Sequence, residues 1–256
     1  EHCAGYPAHR RFDALEPGLR PGSWEAWRHV VFAAAKVPRA TAPRTEAVYS
    51  DIGFILLGAA LEVIWSQPLS LAFAKLGTEL TYLDRRGRPA PPFSRPRYPI
   101  APTEHCEPGE VHDENARAMG GVAGHAGLFG TAHGVLKLAE NLMASYHGQR
   151  GGLLQPETVK RIWRPSKVNQ STRTLGWDRP SPRGSSTGRS WPSYAVGHLG
   201  YTGTSLWIEP ERAFAVVLIT NRVCPSRANN MIRRLRPALH DAAWSEWAKG
   251  KPRLRR

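Results

Sequence analysis

Cysteine is scarce in this chain of 256 residues: Cys3, Cys106 and Cys224 are too few and too dispersed to form a disulfide framework. Stability must come from a packed core, which a chain of this length buries without covalent staples. No run of 18 or more apolar residues occurs, which excludes a transmembrane helix. No charged-then-apolar leader opens the chain either, and Glu1 stands where a start methionine belongs. The opening Glu1-His-Cys-Ala-Gly-Tyr-Pro-Ala-His9 reads as the middle of a loop, as a processed or truncated terminus would; any export signal would precede residue 1. Acidic residues are scarce, 21 against 35 basic ones, for a formal charge of +14. Such an excess raises the question of phosphate binding. Only Lys36, Lys75, Lys137, Lys160, Lys167, Lys249 and Lys251 are lysines, and the arginines are scattered apart from Arg233, Arg234 and Arg236 and from Arg253, Arg255 and Arg256. The charge therefore reads as an arginine-rich solvated surface, with no specific nucleic acid as partner.

What is present is an ordinary globular balance, 41% hydrophobic and 22% charged. Residues 23–36 carry Trp, Val and Ala at helical spacing behind Ser23, a fitting N-cap. Residues 50–66 place Ile52, Ile55, Leu56, Ala59, Ala60, Val63 and Ile64 almost all round, which predicts a buried helix. Pro68 opens a further short helix. Proline and arginine accumulate over 84–109, which predicts an extended surface loop. Residues 131–146 form an amphipathic helix capped by Thr131, with Val135, Leu136, Leu138, Ala139, Leu142 and Met143 as its core stripe. A short helix follows at 156–163, then a loop over 169–193 with a short strand about Leu175-Gly-Trp177. Residues 195–200, 204–208 and 213–220 predict three strands of an antiparallel meander. A long helix over 227–249 closes the chain, able to cover one sheet face with Ile232, Leu235, Leu239, Ala242, Ala243 and Trp247. The expected class is α+β, an antiparallel sheet flanked by helices plus a helical lobe. The chain reads as one domain, mainly helix and loop over 1–193, with the sheet strands and terminal helix over 194–249.

Two stretches carry chemistry: Tyr49-Ser50-Asp51 at a helix start, and Gly197-His198-Leu199-Gly200-Tyr201-Thr202-Gly203 on a strand entering a hairpin. Their order resembles the class C beta-lactamase, penicillin-binding protein and esterase superfamily. Its three elements are Ser-x-x-Lys, Tyr-x-Asn and Lys-Thr-Gly, the last often His-Thr-Gly in esterase-like branches; class A enzymes have a related set. Gly109-Glu-Val-His-Asp-Glu-Asn-Ala116, Gly120-Gly-Val-Ala-Gly-His-Ala-Gly-Leu-Phe129, Thr202-Gly-Thr-Ser-Leu-Trp-Ile-Glu-Pro210 and Thr220-Asn-Arg222 are similar to a beta-lactamase-related branch of serine hydrolases. The resemblance implies a beta-lactamase/transpeptidase-like fold with its N-terminal part missing, acyl-enzyme chemistry on a small ester or amide, a beta-lactam or a peptidoglycan peptide among them, and no cofactor.

Within that resemblance Tyr49 would shuttle a proton between nucleophile and leaving group; its structural alternative is a buried tyrosine with a satisfied hydroxyl. His198 takes the place of the basic residue in the third element, where it would polarise substrate or tune Tyr49. The Tyr201 N–H would complete an oxyanion hole beside Gly200, with Thr202 lining the substrate site. Leu199 replaces the usual threonine and removes a hydroxyl that meets a substrate carboxylate, which weighs against a beta-lactam. Asp51 replaces the usual asparagine: ionised, it accepts but cannot donate. It serves either the substrate or the helix N-terminus. No serine is followed three residues later by lysine, so the nucleophile would lie upstream and the chain as written should not turn over. His105 and Cys106 with His112, Asp113 and Glu114 match no zinc spacing, so no metal is expected. Residues 112–115 read instead as an internally hydrogen-bonded loop, and His125 as a tight-turn residue. A reading from another class is a catalytically inactive binding or scaffold protein, its basic C-terminal helix and tail engaging an acidic partner.

Overall fold

The computed structural model describes residues 1–84 and 99–250; most of the proline- and arginine-rich stretch, and the cluster Arg253, Arg255 and Arg256, lie outside the described residues. The chain divides into two compact units, Glu1–Gly134 with Lys167–Ser171, and Val135–Ser166 with Thr172–Arg256.

In the first unit, α1 (Trp24–Ala35) starts where Ser23, in extended conformation, accepts the Ala26 N–H at 3.1 Å. It buries Trp27, Val30 and Ala34 against α2 (Asp51–Trp65), with Phe12, Ile52, Ile55, Val111 and Met119 in the same core. The expectation of a buried α2 needs correction. Ile52, Ile55, Gly58 and Ala59 face the core, whereas Val63 and Ile64 are 70% and 72% exposed. A helix packed along one stripe leaves its other faces to solvent whatever their polarity. On the packed side Gly58 meets Gly124, where a Cβ on Gly124 would run into the Phe54 carbonyl and one on Gly58 would lie 2.8 Å from the Gly124 nitrogen. Backbone therefore touches backbone, which only glycine allows.

After α3 (Leu69–Ala74), β1 (Thr81–Tyr82) pairs antiparallel with β2 (Leu128–Phe129), a ribbon not foreseen. Residues 112–115 are not simply a loop. Asp113 caps α4 (Glu114–Ala118), accepting the Ala116 N–H at 2.8 Å, and the buried Asn115 donates to the Arg10 carbonyl at 2.8 Å and accepts from Phe12 N–H at 2.7 Å. The segment is internally bonded as expected, but through a helix start.

The second unit opens with α5 (Ala132–Tyr146), whose first turn is closed by Thr131 accepting the Gly134 N–H at 3.1 Å. Ala139, Leu142 and Met143 pack on Val159 of α6 (Pro156–Ile162), on Trp163 and on the sheet residues Val196, Leu206 and Ile208. The sheet is the expected antiparallel meander, β3 (Val196–Leu199), β4 (Ser205–Glu209) and β5 (Phe214–Leu218), with His198 opposite Leu206. No strand forms at 175–177. The Thr174 N–H bonds the Trp177 carbonyl and Gly176 sits at φ +81°, a turn, while Asp178 bridges Gly197 at the edge of β3.

The last helix, α7 (Ile232–Lys249), begins later than expected and buries only part of the expected face, Ile232 inward and Trp247 against Phe214, with polar residues in place of the rest. Ile232, Arg236 and His240 point inward, while Leu235 is exposed. The sheet hairpin explains the exchange by offering polar partners: Arg236 donates to the Gly200 and Thr204 carbonyls at 2.7 and 2.6 Å, and His240 Nε2 lies 3.0 Å from the Ser205 hydroxyl. Farther along, Trp244 and Trp247 pack with Trp191 and Phe214, the Phe214 and Trp247 rings stacked at 4.6 Å.

Candidate active site

The expected site residues fall into two groups, one in each unit. In the first, residues 2–9 cross the start of α2 and bind it through the backbone. The Ser50 N–H donates to His2 Nδ1 at 3.0 Å, the Ser50 hydroxyl donates to the Pro7 carbonyl at 2.7 Å, and the Asp51 N–H donates to the Ala8 carbonyl at 2.9 Å. Ser50 is thus the residue before the helix but not its side-chain cap. Tyr49 precedes it with 46% exposure, its ring 4.3 Å from that of His2. At this exposure Tyr49 is not the buried tyrosine of the structural alternative. Asp51 holds its carboxylate 2.9 Å from His9 Nδ1, so the two alternatives weighed for it are joined by a third partner.

Beside this pair Asp113 accepts from His125 Nε2 at 2.8 Å. Burial works to raise the Asp113 carboxyl, but the hydrogen bond and charge of His125, the Ala116 N–H and the charge of His9 outweigh it and hold it below the ordinary carboxylate value. His125, whose side chain is almost wholly buried, is an ion-pair partner rather than only a turn residue. Among the described residues no three His, Cys, Asp or Glu side chains converge to hold a metal ion. A cavity of about 160 Å³ in this unit, lined by Ser70, Phe73, Leu80 and Thr81 among others, includes none of the expected residues.

The second group surrounds the β3–β4 hairpin. His198 Nδ1 lies 2.9 Å from the Leu199 carbonyl. A carbonyl only accepts, so Nδ1 carries the proton and Nε2 of the neutral ring is an acceptor. Burial and the Arg173 charge lower the His198 pKa, against the Leu199 hydrogen bond and Asp178. Both effects favour the neutral imidazole.

Gly200 then opens a tight turn, its N–H donating to the Thr204 carbonyl at 2.8 Å and its carbonyl accepting from the Gly203 N–H at 3.1 Å. Gly203 sits at φ +113°, and a Cβ at Gly200 would run into the Thr204 hydroxyl. Two arginines bind the turn's carbonyls. Arg236 takes Gly200 and Thr204, while Arg222 Nε donates to the Tyr201 carbonyl at 2.8 Å and the Arg222 N–H donates to the Thr202 carbonyl at 2.9 Å. The Arg222 guanidinium also lies 4.5 Å from the centre of the Tyr201 ring. A trans peptide sets its N–H opposite its C=O, so anchoring the Gly200 carbonyl on Arg236 directs the Tyr201 N–H away from α7. Four residues of this chemistry, His2, His9, Arg222 and Arg236, were not among the expected site residues. Only Arg222 carried a signal, through Thr220-Asn-Arg222.

Comparison with known proteins bears on the family and the fold. The chain matches a protein-family model described as Beta-lactamase over residues 1–240. It is 28% identical over 243 residues to the N-acetylmuramyl-L-alanine amidase of Bacillus subtilis (strain 168), covering 87% of this chain and 54% of that protein. The chain thus spans about half the length of the curated relatives it matches. Among solved structures, the Beta-Lactamase/D-Alanine Carboxypeptidase of Pseudomonas syringae superposes with a TM-score of 0.64 at 16% identity, over 98% of this chain and 70% of that one. The unliganded simvastatin synthase LovD of Aspergillus terreus gives 0.62 at 17% identity, over 97% and 68%. These structural likenesses establish the expected beta-lactamase/transpeptidase-like α+β fold. With the family model aligned over all but its last residues, this chain belongs to the beta-lactamase family.

Proposed function

We propose that the chain is the Tyr49- and His198-bearing part of a serine acyl hydrolase that opens an ester or amide bond, with a peptidoglycan peptide favoured over a beta-lactam. The observation that carries this reading is the 200–203 turn, whose carbonyls are bound by Arg222 and Arg236, an arrangement that supports the Tyr201 N–H as an oxyanion donor. Tyr49 takes the proton of the attacking serine and returns it to the leaving group. His198, neutral and accepting through Nε2, assists that transfer, and Gly200, Thr202 and Asp51 line the substrate. The names of an amidase and a D-alanine carboxypeptidase among the similar proteins support an amide of the peptidoglycan class. Leu199, in place of a hydroxyl-bearing residue, removes one contact for a substrate carboxylate, which weighs against a beta-lactam and leaves the carboxylate of a peptide to other groups. The acylating serine is supplied from outside these 256 residues.

The test is the intact mass of the native product with and without a fluorophosphonate probe. A mass well above 28.3 kDa that gains one adduct is expected. A product of 28.3 kDa that takes no adduct overturns the hydrolase and leaves the second reading, a beta-lactamase-fold binding protein, which the lack of any serine three residues before a lysine favours.

A further inference from the structure

Position 51 poses a chemical problem that the structure answers. A carboxylate there can accept a hydrogen bond but offers none to a substrate carbonyl or carboxylate. Yet Asp51 does not stand alone: His9, 42 residues earlier, places Nδ1 2.9 Å from Asp51 Oδ2. A carboxylate oxygen requires a donor, so Nδ1 carries a proton and Nε2 faces outward from the pair. The His9 side chain is 44% exposed, and among the described residues Nε2 has no hydrogen-bond partner. The segment that carries it is fixed rather than loosely draped, because Ala8 accepts the Asp51 N–H, Pro7 accepts the Ser50 hydroxyl and Asn115 holds the Arg10 carbonyl. Tyr49 is two residues from Asp51 on the same segment.

We propose that His9 determines substrate specificity at this site: anchored on Asp51 through Nδ1, its imidazole presents Nε2 to an acceptor on the substrate and takes up the proton that lets it donate. The pair Asp51–His9 thereby replaces, with a carboxylate-held imidazole, the donor that an amide at position 51 would have supplied. The ligand class that fits is an acyl peptide with a carbonyl or terminal carboxylate at that place. Two carboxylates face the imidazole, Asp51 on α2 and Asp113 at the start of α4, the latter also paired with His125. Of the flanking cations, Arg11 is paired with Asp13 at 2.6 Å. This inference rests on the assignment of Asp51 to the substrate site in the proposed function.

The test is calorimetric titration of the 256-residue chain with N-acetyl-D-alanyl-D-alanine in two buffers of different ionisation enthalpy. The unaltered chain is expected to bind saturably with net proton uptake. His9→Ala should weaken binding about tenfold, the usual scale for losing a hydrogen bond to a charged group, and abolish the uptake. In the double variant His9→Ala with Asp51→Asn, the new amide donates directly, so affinity should return to within about threefold of the parent, without proton uptake. Rescue of this kind separates a donor role from loss of structure, and circular dichroism of each variant checks the fold. Binding by His9→Ala equal to the parent, a double variant as weak as the single one, or no saturable binding by the unaltered chain would each overturn the inference. The two readings fail separately. Absence of a fluorophosphonate adduct with His9-dependent binding intact removes the hydrolase alone, whereas an adduct with His9-independent binding removes only this assignment.

Discussion

On the inner face of α7 the His240 imidazole is shut off from solvent, with Nε2 on the Ser205 hydroxyl and Nδ1 unpaired among the described residues. Burial first, then the Arg236 charge, bring its pKa down to about 4 against the opposing pull of Asp241. An exposed histidine titrates near 6.5, so between these values the unfolded chain binds a proton that the native one refuses. The sign follows directly: the contribution is whole above about pH 6.5, declines as pH falls towards about 4 and then levels off, on the order of 3 kcal/mol altogether. Urea unfolding at pH 7 and pH 4.5 should therefore show a larger loss for the parent than for His240→Gln. Equal losses would assign the acid sensitivity to other groups, His198 among them, whose pKa is lowered in the same sense. His198 itself was legible because Gly197-His198-Leu199-Gly200 resembles the third element of the superfamily's motif set. His2, His9 and Arg236 were not: their partners Ser50, Asp51 and Gly200 lie 48, 42 and 36 residues away, and no local pattern announces such a pairing.

For the helices, the governing distinction is between being apolar and being buried. α2 carries one charged side chain after its first residue, Glu62, yet its buried residues are confined to Ile52, Ile55, Gly58 and Ala59. Replacing Ile55 by alanine should cost about 2–5 kcal/mol, the range for emptying a packed site. Ile64→Gln on the open side should stay within about 0.5 kcal/mol of the parent. Denaturant midpoints of the two variants check this, and a costly Ile64→Gln would mean that the outer face has a partner in solution. Periodicity located α1, α2 and α5 because their caps and stripes are local, Ser23 and Thr131 among them. It could not locate β1 and β2, two residues each, which exist only because Thr81 and Phe129 become neighbours. Nor could it orient α7. The burial of Arg236 and His240 is decided by carbonyl and hydroxyl groups of the hairpin, which a hydrophobic pattern does not register.

Over the whole chain, the charge count overstated the free basic surface. Arg222 and Arg236 contribute to the +14, but each binds backbone carbonyls of the 200–204 turn. Part of the arginine excess is thus hairpin structure, which weakens any case for nucleic acid built on the total. Hydrophobic residues are likewise partitioned. Phe12, Trp27, Val30, Ile52, Ile55 and Met119 close one core, and Ala139, Leu142, Met143, Val159, Trp163 and Ile208 close another, with no residue common to both. Substitutions that share no partner add in free energy, because neither changes the surroundings in which the other is felt. Ile55→Ala and Leu142→Ala should each destabilise by about 2–5 kcal/mol. Combined, they should reach the sum of the single effects to within about 0.5 kcal/mol, provided all three variants unfold in one transition in urea. A deficit or excess beyond about 1 kcal/mol would show the cores to be coupled. Two separate transitions, with Ile55→Ala moving only one, would show that each unit unfolds by itself.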